Sequence, residues 1–73
     1  MELKEAVKLF ENKTKTKVKE YLEIENGWFF IIETKPGFIQ NAFYILSNNG
    51  DVKSGIEEYY EMTEKELLSI KNI

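Results

Sequence analysis

Residues 25–35 read ENGWFFIIETK: a turn dipeptide, then five large apolar residues from Trp28 to Ile32, then polar residues again. A strand alternates its side chains between two faces, so this run places apolar groups on both faces of its sheet. Asn26-Gly27 is a strong hairpin signal, because both residue types tolerate the positive φ of a type I′ turn. The turn predicts a strand over about 16–25 and a partner over about 28–35. In that register Glu25 faces Trp28, Ile24 faces Phe29, Glu23 faces Phe30, Leu22 faces Ile31 and Tyr21 faces Ile32. One face then carries Leu22, Ile24, Phe29 and Ile31, with Val18 further along, and is the expected seat of the first helix. The opposite face carries Tyr21, Trp28, Phe30 and Ile32, flanked by Glu23 and Glu25.

Upstream, Leu3, Ala6, Val7 and Phe10 recur at helical spacing and draw one apolar stripe on a helix of about 2–12, with Asn12 as its stop. Downstream, Pro36-Gly37 ends the second strand, since proline cannot donate to a ladder. AFYILS at 42–47 predicts a third strand, with Phe43 and Ile45 on one side and Tyr44 and Leu46 on the other. The Asn48-Asn49-Gly50-Asp51 turn returns the chain antiparallel, into a fourth element at about 56–62: Ile56, Tyr60 and Met62 fit one face of a strand, the favoured reading, while Ile56, Tyr59 and Tyr60 also fit a helical turn. Thr63 and Glu66 have capping-box spacing, with Met62 and Leu67 placed as a hydrophobic staple, so a last helix is expected over about 64–71. The expected fold is α+β, in the order α-β-β-β-β-α: one domain over residues 1–73, an antiparallel meander with helices packed on it.

Burying Trp28, Phe30 and Ile32 removes roughly 400–500 Å² from water, on the order of 10 kcal/mol gross and an upper bound. That rivals the whole stability of so small a domain. Exposed, the same face invites aggregation. Three covers are open: the C-terminal helix, a second copy in a homodimer, or another protein. In the last two cases Tyr21, Glu23, Trp28, Phe30, Ile32 and Tyr44 form the partner-binding surface, with the aromatics as anchors.

Composition narrows the chemistry. The 73 residues include no cysteine and no histidine, so thiolate metal sites, disulfides, the commonest general base and the strongest nucleophile are all missing. Ser47, Ser54 and Ser69 have no imidazole to activate them. Glu23 and Glu25 share one exposed strand face without a pocket, and the NNGD turn lacks the acid spacing of a calcium loop. The expectation is a non-enzymatic protein with no cofactor and no metal. The N-terminus lacks a signal-peptide apolar run and no segment approaches a membrane span, which points to a cytoplasmic protein without a membrane partner.

Net charge is −3, unevenly placed: residues 1–19 hold six lysines against three glutamates, and residues 20–73 hold four lysines against ten acids. Lys13, Lys15, Lys17 and Lys19 alternate along the predicted first strand. They offer either a phosphate-contacting stripe for nucleic acid or lysine protection of a sheet edge. The absence of arginine and the acidic remainder favour edge protection. Glu57, Glu58, Glu61, Glu64 and Glu66 form an acidic patch, read as a solvated face or a docking surface for a basic partner.

The helix EAVKLF, the pair around LEIENGWFFIIET and the stretch AFYILSNNGDV together resemble small bacterial immunity proteins of toxin–antitoxin-like competition systems. In those, a short helix precedes a strand built on a Gly-Trp-aromatic-Phe pattern, matched here by Gly27, Trp28, Phe29 and Phe30. A later strand ends in an Asn/Asp-Gly turn, matched by Asn49 and Gly50. The likeness covers about residues 3–52. It implies stoichiometric binding and inhibition of a partner protein; small phage-encoded inhibitors share the size and acidity and fall within the same expectation.

Overall fold

A helix, α1 (Leu3–Thr14), precedes the strands β1 (Val18–Ile24), β2 (Gly27–Ile32), β3 (Phe43–Ser47) and β4 (Val52–Ser54). Two short helices, α2 (Ile56–Glu61) and α3 (Glu64–Leu68), lead to a final two-residue strand, β5 (Lys71–Asn72). The computed structural model describes residues 1–33 and 42–73; Pro36-Gly37 and the expected end of the second strand lie outside them. The five strands form one antiparallel sheet in the order β4-β3-β2-β1-β5, so the α+β meander is present with an added edge strand.

The hairpin turns one residue earlier than Asn26-Gly27. Ile24 pairs with Gly27, Glu23 with Trp28, Leu22 with Phe29 and Tyr21 with Phe30, which leaves Glu25-Asn26 as the loop. Neither loop residue takes a positive φ; Gly27 does, at 157°. The pairing is thus slipped by two residues from the expected register, and an even slip keeps every side chain on its face. Gly27 is required by close approach, because a Cβ there would stand 2.1 Å from the Leu46 carbonyl oxygen on β3.

Which helix covers which face is the reverse of the expectation. α1 lies on the Trp28 face: Ala6, Phe10, Trp28, Phe30 and Leu46 are buried together, with Ile32 and Val18. Phe10 meets the Phe30 ring edge-on at 5.2 Å and lies 5.6 Å from the Tyr44 ring. The other face, with Phe29, Ala42, Phe43 and Ile45, is covered by Ile56 and Tyr59 of α2 and by Met62 and Ile70. Tyr59 stacks on Phe43 at 4.1 Å. The C-terminal segment therefore covers the Phe29 face and not the Trp28 face.

The switch originates in the connection between α1 and β1. The helix runs two residues past Asn12 and ends at Lys15, which adopts the left-handed conformation (φ 59°) and bonds back to the Glu11 carbonyl. A bulge between Val18 and Glu20 follows. One extra residue turns Val18 to the face opposite Leu22, so it joins Phe30 and Ile32 instead of the face predicted for it. The Val18 N–H at this bulge donates to the Glu11 carboxylate at 2.8 Å. Glu11→Ala leaves that donor without its protein acceptor, and urea denaturation is expected to show a loss of about 1–2 kcal/mol. Glu11→Gln, which keeps an acceptor oxygen, is expected to recover most of it; equal stability of the alanine variant and wild type would contradict this role.

The C-terminal third differs most from expectation. Residues 56–61 are helical: β4 is only three residues long, Gly55 caps α2, and Ile56 and Tyr59 face the sheet at i, i+3 while Tyr60 is exposed. Strand alternation over Ile56, Tyr60 and Met62 is not used. The Thr63–Glu66 capping box forms with both of its bonds, but α3 stops at Leu68, and Lys71–Asn72 then pair with Glu20 and Tyr21 of β1.

A candidate protein-binding groove

The six side chains expected to form a partner surface are largely interior. Trp28, Phe30 and Ile32 are buried under α1, and the Trp28 Nε1–H donates to the Met1 carbonyl at 3.1 Å. Tyr21 is half-buried against Trp28, and Tyr44 half-buried against Phe10. Only Glu23, paired across from Trp28, is exposed. The aromatic face is closed by the chain's own first helix, so the expectation that its cover comes from the C-terminal helix or from outside the chain is corrected, while Tyr21, Glu23 and Tyr44 keep accessible surface.

The four lysines do not form a strand face. Lys13 belongs to α1, where its Nζ donates to the Gly50 carbonyl; Lys15 caps that helix; Lys17 precedes β1; only Lys19 is in the strand, at its bulge. Edge protection is corrected as well, since β1 has β2 on one side and β5 on the other. The sheet edges are instead β4 and β5, blunted by being three and two residues long.

The acidic patch, by contrast, borders a groove. On the Phe29 face, an opening of about 460 Å³ lies between the β1–β2 turn and the α2–α3 segment. Its floor is apolar: Ile24, Phe29, Ile45 and Met62. Carboxylates of Glu25 on the turn, Glu58 and Glu61 on α2, and Glu66 on α3 stand around it, with Lys53 of β4 as the one lining cation among the described residues. Lys53 and Glu58 approach to 4.0 Å, the only ion pair among the described residues, and both are solvated enough for it to be weak. Glu66 is held in place, because its Oε1 accepts the Thr63 N–H at 3.0 Å.

Local sequence builds each wall. The Glu25-Asn26 loop projects one carboxylate at the end of the hairpin. Gly55 fits against Phe29 and the Tyr44 backbone, where a Cβ would come within 3.0–3.2 Å, and so brings α2 down onto the sheet. Met62, in extended conformation between α2 and α3, turns the chain and drops its side chain toward the floor. The Glu57–Glu66 run pointed to this side of the molecule; Glu25, Lys53 and the floor were missed, since they come together only through the hairpin and the β3–β4 return. No three acidic side chains among the described residues are close enough to hold a metal ion, and no helix there is long and apolar enough to cross a membrane. No family model matches the chain, and no curated protein or solved structure matches it either.

Proposed function

We propose that this chain is a non-enzymatic protein-binding module that acts by stoichiometric association, as an immunity protein or a phage-encoded inhibitor does. The observation that carries the reading is the acidic, apolar-floored groove on the α2–α3 side, which has the layout of an interface: a hydrophobic centre inside a polar rim. The chain's lack of histidine and cysteine supports binding over catalysis, and the lack of cysteine suits a reducing, cytoplasmic setting. The resemblance around Gly27-Trp28-Phe29-Phe30 falls on core residues in this reading, and Phe29 also floors the groove that the partner meets.

Amine cross-linking with mass spectrometry in extracts of the source cell tests it. The expected result is one partner in a 1:1 complex, linked through Lys53 at the groove. Links confined to Lys4, Lys8 and Lys15 on the α1 side, or no stoichiometric partner, would overturn the reading.

A further inference from the structure

The groove also specifies what kind of segment it holds. We infer that its occupant is a basic stretch of a partner polypeptide that presents an apolar side chain between lysine or arginine residues. The inference rests on the protein-binding reading and adds the chemistry of the bound segment.

Three observations converge on it. The volume of about 460 Å³ falls within the range of about 300–1,000 Å³ typical of ligand sites. The floor presents Ile24 and Met62 over the buried Phe29 and Ile45, and the Ser47 hydroxyl beside them is already bonded to the Asp51 backbone, so it rewards an apolar anchor. Around that floor stand Glu25, Glu58, Glu61 and Glu66 against the single ammonium of Lys53. Neither Glu25 nor Glu61 has a cationic partner within 4.0 Å among the described residues. An acidic segment would meet repulsion on three sides. A purely apolar one would leave the carboxylates without counter-charge, and a small polyamine would leave the floor uncovered. A cationic–apolar–cationic segment satisfies both layers at once, with the charged rim setting encounter rate and orientation.

The carboxylates come from three separate elements, the β1–β2 turn, α2 and α3, so they converge from different directions. A larger opening of about 590 Å³ beside Ile31, Phe43, Tyr59 and Ile70 carries, among the described residues, only two carboxylates, Glu20 and Glu33, against Lys19, and so has a weaker charge preference. An apolar slot of about 270 Å³ beside Leu3, Val7, Tyr21 and Ile73 has Lys4 as its one charged lining residue and no arrangement of charge to select an occupant.

The test is ¹⁵N NMR titration of the whole protein with a capped peptide of alternating lysine and leucine. An all-lysine peptide of equal length and spermidine serve as comparison probes. The expected result is shift changes confined to Ile24–Asn26, Lys53 and Glu58–Met62. The all-lysine peptide and spermidine should bind at least about fivefold more weakly, since neither covers the floor. Glu25→Lys combined with Glu61→Lys, both at exposed positions, should weaken the lysine–leucine peptide by about tenfold while leaving the spectrum of the free protein dispersed. Equal binding of all three probes, shifts centred on α1, or an unaffected double variant would overturn the inference. If cross-linking finds a 1:1 partner at Lys53 while the peptide fails to bind, the module reading stands and this occupant does not.

Discussion

Phe30→Ala is expected to cost about 3–5 kcal/mol and to lower the melting temperature by on the order of 20 °C. Phe30 is fully buried at the centre of the α1–sheet interface. Its ring meets Phe10 edge-on at 5.2 Å and stacks beside Trp28 at 6.5 Å, so truncation removes apolar burial and two aromatic contacts together. α1 and β2 cannot close the gap easily, because Phe10 is also held against Tyr44. In a domain of 73 residues this is a large share of the total stability. Leu68→Ala provides the contrast: Leu68 is 79% exposed on α3, and its loss should change stability by about 0.5 kcal/mol or less. Urea denaturation of the two variants side by side checks both; a Phe30→Ala protein within about 1 kcal/mol of wild type would contradict the packing described.

Gly27→Ala is expected to be at least as damaging, on the order of 3 kcal/mol or more. The added methyl would stand 2.1 Å from the Leu46 oxygen, 2.9 Å from the Ser47 Cα and 3.0 Å from the Leu46 carbonyl carbon. All three are backbone atoms of the neighbouring strand, so relief requires parting β2 from β3 where Gly27 pairs with Ser47. The φ of 157° adds conformational cost. Gly50→Ala separates the two effects. At φ 94° it carries the conformational cost, yet its Cβ would meet only side-chain atoms at 3.7 and 3.8 Å. Its loss should be about 1–2 kcal/mol, clearly less than that of Gly27. Thermal unfolding followed by circular dichroism ranks them, and a Gly27→Ala protein as stable as Gly50→Ala would refute the close approach.

The elements that could be read from sequence are those fixed by short-range pattern. α1, the hairpin, β3 and the Thr63 capping box each depend on neighbours within a few residues, and each is present. The division of Trp28–Ile32 between two faces survived a misplaced turn, because an even slip preserves alternation. What could not be read is long-range. Both sheet faces are apolar, so the stripe of α1 fits either of them. The choice is made by the left-handed Lys15 and the bulge before Glu20, and neither carries a glycine or proline signal. Ile56–Met62 is compatible with both periods over so short a stretch. Tertiary context decides for the helix, with Tyr59 stacked on Phe43. The candidate site was half legible: the glutamates of α2 and α3 are contiguous in sequence, whereas Glu25, Lys53 and the apolar floor join them only in the fold.

The aromatic face that drew attention in the sequence is core beneath α1, and the proposed partner groove lies on the opposite face. The most direct check uses the single tryptophan. Acrylamide quenching of Trp28 fluorescence should be slow, as befits a side chain 7% exposed beneath α1. It should stay slow over about a hundredfold dilution, because the cover belongs to the same chain. Trp28 that is quenched freely, or that becomes accessible on dilution, would mean that α1 does not cover this face, and the account would fail.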